Sequence, residues 1–195
     1  MYGFMSHIYK LAVILPKIEK NEKMKKKFIL INLFIAIIFS SCSAPMKYQN
    51  NMFNNTFFEN KTIYFLLTEK SDEIRIVKEG PNRGETKTPN NREVYKKSIE
   101  DLAIETKLNL KYVESGKDLT KDEIIINVNI KNLNWIFGFS SATMKSLVNY
   151  EVAKNKKSYE IIGIHKNSTG GSKEWNLYNS LKNANYQFLK ELENN

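Results

Sequence analysis

The sequence predicts an α+β domain with an antiparallel-dominated sheet of about four to six strands and two amphipathic helices packed on one face. Three observations carry this. Several stretches alternate apolar and polar residues with period two. Two others repeat apolar residues at three- and four-residue spacing. A polar turn, Lys154-Asn155-Lys156-Lys157, joins two of the alternating runs as a hairpin would.

Taken in order, 61–67 (KTIYFLL) is β-branched and aromatic and reads as a buried strand. The run 73–78 (EIRIVK) alternates and reads as a half-buried one, and the Gly- and Pro-bearing stretch 80–84 that follows is a loop. Thr88-Pro89-Asn90-Asn91 supplies helix start signals, after which Tyr95, Ile99 and Leu102, with Val94, Ala103 and Leu108 beside them, trace an amphipathic helix. A short strand at 109–114 and a turn at 115–118 follow. The clearest strand is 122–135 (DEIIINVNIKNLNW), with Ile124, Ile126, Val128 and Ile130 on one face and Asn127, Asn129 and Lys131 on the other. Two more alternating strands, 140–153 and 159–165, flank the lysine turn. Ser172 is a helix N-cap, and Leu177, Leu181, Ala184, Phe188 and Leu192 form the apolar stripe of the closing helix.

The N-terminal part has a different character. Lys25, Lys26 and Lys27 precede an apolar run at 28–39 interrupted only by Asn32, and Ser40 and Ser41 lead into Cys42, the single cysteine. This is the three-part layout of a secretory signal peptide. The apolar run is too short for an ordinary spanning helix, which needs about 20 residues. The expected organisation is an upstream extension at 1–23 from a misassigned start, with Met24 as the true one. A signal peptide at 24–41, an Asn-rich tether at 42–60 and one domain at 61–195 then follow. Residues 1–41 hold seven of the Lys and two of the Glu, so the net charge of +9 belongs largely to targeting. Without helix-turn-helix, RNP-like or zinc-finger patterns, no nucleic-acid partner is expected. One Cys and two His exclude a disulfide framework and a multi-histidine metal centre, and no metal or cofactor is expected.

Phe39-Ser40-Ser41-Cys42 resembles the bacterial lipoprotein signal, in which Leu-Ser/Ala-Gly/Ala precedes the lipidated Cys; Phe39 stands at the Leu position. The runs EIIINVNIKNLNW, ATMKSLVNYEVAKNKKSYEIIGIHK and NSLKNANYQFLKELEN, placed after such a Cys, resemble the small YajG-like lipoproteins and more loosely the LptE-like and transport-auxiliary ones. The resemblance spans roughly 90–195 and leaves 61–84 unmatched. It implies an α/β-roll domain on the periplasmic side of the outer membrane, acylated at Cys42 and engaged in scaffolding. Ser43, where an inner-membrane retention signal would place Asp, agrees with the outer membrane.

Candidate chemistry is sparse. His165, with Ser168, Ser172 and Glu160 nearby in sequence, is the only base a Ser-His-acid triad could use, but no G-x-S-x-G elbow accompanies it. Asp72-Glu73 and Asp122-Glu123 are adjacent on strands and point to opposite faces, which suits edge charge better than acid/base work. Thr169-Gly170-Gly171-Ser172 lacks the Lys of a phosphate-binding loop and reads as turn and cap. No catalytic residue is therefore expected.

Two surface features suggest binding instead. Trp135, Ile136, Phe137 and Phe139 crowd large apolar side chains where a hairpin should turn, and mark a partner or membrane contact. Lys154, Lys156 and Lys157, with Lys145 and Lys166 grouped around the same hairpin, mark contact with anionic lipid. The expected role is a non-enzymatic adaptor, lipid-anchored in the membrane, for an envelope transport or assembly complex. The alternative is a lipid or glycolipid carrier with an apolar pocket between helices and sheet.

Overall fold

The alternating run after residue 122 becomes the spine of the sheet. In the computed structural model, which describes residues 47–48, 53, 55–81, 83–116, 123–168 and 171–194, it forms the 14-residue strand β5 (Ile124–Phe137). Residues 1–46, which hold the expected upstream extension, signal peptide and Cys42, lie outside the described residues, as do parts of the expected tether and Asp118, Asp122, Thr169 and Gly170. Before β5 come α1 (Asn55–Phe58), β1 (Ile63–Leu67), β2 (Ile76–Glu79), β3 (Gly84–Thr86), α2 (Asn91–Thr106) and β4 (Leu110–Val113). After it come β6 (Ala142–Val152), β7 (Ser158–Asn167) and α3 (Lys173–Glu193). The α+β class and the helices on the sheet are as expected; among the described residues the strands number seven, above the four to six expected, because the loop after β2 hides the three-residue β3.

One long edge of β5 pairs antiparallel with β6, which pairs antiparallel with β7. The other edge is shared. β1 runs parallel to its first half, with Ile63 opposite Ile124 and Leu67 opposite Val128. β2 runs parallel to its second half, with Ile76 opposite Leu133. β4 extends β1 in parallel and β3 extends β2 in antiparallel. Antiparallel pairing dominates by length, and the parallel pairs sit where the chain crosses over between strands that are distant in sequence.

A buried backbone donor would be stranded where β1 leaves β5 and β2 has not yet joined. Ser71, in the 3₁₀ turn Glu69–Asp72 between them, fills that gap. Thr68 N–H donates to Val128 O at 2.8 Å and Ile130 N–H to Ser71 Oγ at 3.0 Å, while Asn91 Nδ2 donates to Ser71 O at 2.6 Å. The turn thereby ties the start of α2 to the spine of the sheet.

The register of β5 against β6 shifts between Ile130 and Asn132, placing an extra residue at Lys131. A one-residue shift inverts the faces. Ile126, Val128 and Ile130 face the core, and beyond the bulge so do Leu133 and, in part, Trp135 and Phe137. Strict period two from Ile124 would have sent Asn132 and Asn134 inward. Met144, Ser146, Val148 and Tyr150 of β6 complete the inner face, together with Tyr159 and Ile161 of β7.

α2 starts within the expected Thr88–Asn91 signal and α3 at the expected cap Ser172. Asn90 Oδ1 accepts from Glu93 N–H and Ser172 Oγ from Trp175 N–H at 3.1 Å. All five residues of the α3 stripe are buried. Phe188 stacks on Tyr150 with ring centres 4.3 Å apart and meets Phe65 and Tyr159 edge-on. Gly163 lets α3 approach β7 backbone to backbone, because a Cβ there would lie 2.0 Å from Ser180 O. Inside the helix layer Asn185 Oδ1 accepts from Tyr95 Oη (2.9 Å) and Tyr150 Oη (2.7 Å), and its Nδ2 donates to Ser98 Oγ at 3.0 Å. All four residues are fully buried, so this polar cluster is satisfied from within.

The packed domain starts before residue 61. Tyr48 and Phe53, assigned from the sequence to the tether, are buried in the same core as the sheet residues, and so is Phe58, whose docking with Phe57 the sequence allows. Tyr48 stacks on Tyr186 at 4.3 Å, its N–H donates to the Glu105 carboxylate, and its hydroxyl accepts from Asn183 Nδ2 at 3.0 Å. Asn-rich surroundings concealed Tyr48 and Phe53.

Candidate functional site

The aromatic run does not form the hairpin turn; it forms the end of β5. Phe137 is still registered with Ala142, and Gly138 N–H donates to Ser141 O at 2.8 Å, which leaves Phe139 and Ser140 at the tip. The four apolar residues therefore separate. Trp135 and Phe137 share the inner face, with ring centres 4.6 Å apart. Ile136 lies on the opposite, helix-free face, and Phe139 projects from the tip fully exposed. The base of the tip is braced by Gly80, at φ +105°, where a Cβ would lie 2.4 Å from Phe137 O. A rigid hairpin thus presents one bare aromatic ring to the surroundings.

The five lysines do not form one cluster. Lys154, Lys156 and Lys157 lie at the β6–β7 turn, at the other end of β6 from Phe139. Lys156 has a left-handed backbone (φ 59°) and pairs with Glu151 at 3.2 Å, and Lys157 stands over the Tyr159 ring at 5.3 Å. These contacts build the turn. Lys145 and Lys166 belong to the Phe139 end, registered with Ile164 and Thr143 respectively, and both project from the helix-free face. The grouping by sequence failed because a strand of 11 residues carries its ends far apart.

The triad candidates are likewise separated. Along β7 alternate residues leave opposite faces. Glu160 is exposed on the helix-free face, whereas His165 points inward and meets the edge of Trp175 with ring centres 4.6 Å apart. Burial lowers the His165 pKa from its usual value, which favours the neutral ring. Ser172 is engaged as the α3 cap. Ser146 lies one row from His165 on the inner face, yet neither Ser146 Oγ nor His165 Nε2 has a hydrogen-bond partner among the described residues, so no nucleophile–base pair is formed. Asp72 is held by Arg92 at 2.7 Å, and Asp101 accepts from Tyr178 Oη at 2.6 Å.

A shallow groove of about 470 Å³ runs between α2 and α3, lined by Lys97, Asp101, Glu105, Trp175, Tyr178 and Lys182. Two polar pairs are internal to it. Lys182 Nζ, almost wholly buried, meets Glu105 at 2.9 Å, and burial together with the Asp101 hydrogen bond pushes the Tyr178 hydroxyl well above the usual tyrosine range. Among the described residues no group of acidic, His and Cys side chains could hold a metal ion, and no helix is long and apolar enough to cross a membrane.

The feature that sequence reasoning missed is the helix-free face beside β7. Ile162 and Ile164 are about half exposed there, and Ile162 pairs with Leu147 of β6. The alternation YEIIGIH carried the signal, because burying Tyr159 and Ile161 forces Ile162 and Ile164 outward.

No family model and no curated protein matches the chain. Among solved structures it is similar to an uncharacterized protein, with a TM-score of 0.45 and 6% identity over 68% of this chain and 92% of the other. It is also similar to a neuraminyllactose-binding hemagglutinin homologue from Helicobacter pylori, with a TM-score of 0.35 and 13% identity over 76% and 89%. Likenesses this distant carry no inference about function.

Proposed function

We propose that the chain is a lipid-anchored, periplasm-facing accessory protein of the bacterial outer membrane, a non-enzymatic adaptor for an envelope transport or assembly complex. The leader ending at Cys42 supports the anchor. The observation that carries the adaptor role is Phe139, a fully exposed aromatic ring on a hairpin held from both strands and braced by Gly80. An exposed aromatic on a rigid support binds with little ordering cost. A carrier would need an apolar cavity between helices and sheet, and the described residues fill that layer with Phe65, Tyr150, Leu181 and Phe188.

Photo-crosslinking tests this directly. A photoreactive residue at position 139, introduced in the native host, should yield a discrete adduct with an envelope protein, and the Phe139→Ser chain should lose co-purification with it while remaining folded. Adducts with lipid alone would refute the adaptor role.

A further inference from the structure

We propose that the helix-free face of the sheet at Ile162 and Ile164, flanked by Lys145 and Lys166, lies on the anionic surface of the bilayer that holds Cys42. The proposal rests on the lipid-anchored reading above, and three further observations place the bilayer at this face.

The first is chain geometry. The Tyr48 hydroxyl accepts from Asn183 Nδ2, while Asn183 Oδ1 accepts from Ile164 N–H at 2.9 Å. One asparagine therefore links Tyr48 to the strand residue whose side chain is exposed on this face. Five residues lie between Cys42 and Tyr48, and the six steps span at most about 20 Å. An acylated Cys42 would keep the bilayer close to β7.

The second is chemistry. The face carries cross-strand rows Ile136–Thr143–Lys166, Asn134–Lys145–Ile164 and Asn132–Leu147–Ile162. Lys145 and Lys166 enter no ion pair among the described residues. The carboxylates of Glu151 and Glu160 lie toward the far turn, and Glu79, beyond β5, accepts from Asn134. Aliphatic side chains among unpaired ammonium groups match the boundary between acyl chains and anionic headgroups.

The third is the edge of β7. Asn183 takes the Ile164 N–H, and Gln187 Nε2 reaches the Ile162 carbonyl at 3.4 Å. These contacts occupy backbone groups that an added strand of a protein partner would need. The side chains of the face remain as the binding surface.

The test uses the acylated full-length chain with Ile164→Cys labelled with a nitroxide; acylation of Cys42 leaves the new thiol as the only reactive one. On vesicles of roughly one part phosphatidylglycerol to two of phosphatidylcholine, the label should be more accessible to oxygen than to a water-soluble nickel chelate. A label at Lys96 on the exposed side of α2 should stay in water. Reversing Lys145 and Lys166 to Glu should return the label at 164 to water while the acyl chain keeps the protein on the vesicle. A chain that floats with vesicles but shows water at both positions would overturn the surface and leave the anchor standing. Failure to float would remove the anchor reading itself. Spin–spin coupling between labels at 164 would give the face to a second copy and overturn the proposal.

Discussion

Replacing Gly163 by alanine should loosen α3 from the sheet, and the structure sets the scale. The added Cβ would stand 2.0 Å from Ser180 O and 2.8 Å from both Ala184 Cβ and Ala184 N. The first obstacle is backbone, so no rotamer change relieves it, and the helix must retreat by more than 1 Å to restore van der Waals distance. That retreat separates Leu181, Ala184 and Phe188 from β6 and β7 and stretches the Asn183–Ile164 hydrogen bond. Overpacking of a close-packed interior costs about 1–3 kcal/mol. A rigid backbone obstacle puts Gly163→Ala near the top, at about 3 kcal/mol, or roughly 6–12 °C in Tm for a domain of this size. Thermal unfolding followed by circular dichroism measures it. Shrinking Ala184 to Gly in the same background should not restore stability, because the Ser180 carbonyl remains. A loss below about 1 kcal/mol would refute the backbone contact between α3 and β7.

Asn185→Ala should cost about 2–4 kcal/mol in chemical denaturation, because two buried tyrosine hydroxyls lose their acceptor at once. Tyr95→Phe should cost much less, since Asn185 keeps Tyr150 and Ser98; equal losses would contradict the shared-acceptor geometry. Burial lowers the His165 pKa, so at acid pH the unfolded chain binds a proton that the folded chain resists. This contribution to stability is therefore intact above about 6.5 and is lost as pH falls from there through the lowered folded value. The denaturation midpoint of His165→Gln should depend less on pH across that window than that of the natural chain, and identical slopes would contradict an inward His165.

Period-two and helical patterns made most of the architecture legible, because both core faces are strongly apolar. The stripe from Leu177 to Leu192, the cap Ser172 and the start signal around Asn90 could be read directly, since capping and amphipathicity are local. The parallel pairing of β1 and β2 along one edge of β5 could not, because it depends on contacts distant in sequence and on Ser71 filling the gap between them. The bulge at Lys131 carries no Gly or Pro to announce it, yet it decides that Leu133 is buried. Tyr48 and Phe53 lay hidden in an Asn-rich stretch that composition assigns to a tether. For the candidate site, the exposed Phe139 was visible as apolar excess near a turn. The division of the lysines between two ends of β6 was not, because composition does not reveal strand length.

The central claim is that the folded domain is held at a membrane through residue 42, and intact-mass spectrometry of the protein purified from its native host tests it most directly. The account predicts a chain that begins at Cys42 and carries the added mass of a diacylglyceryl group, with or without a further N-terminal acyl chain. A chain that retains the 24–41 leader and carries no fatty acid would contradict it.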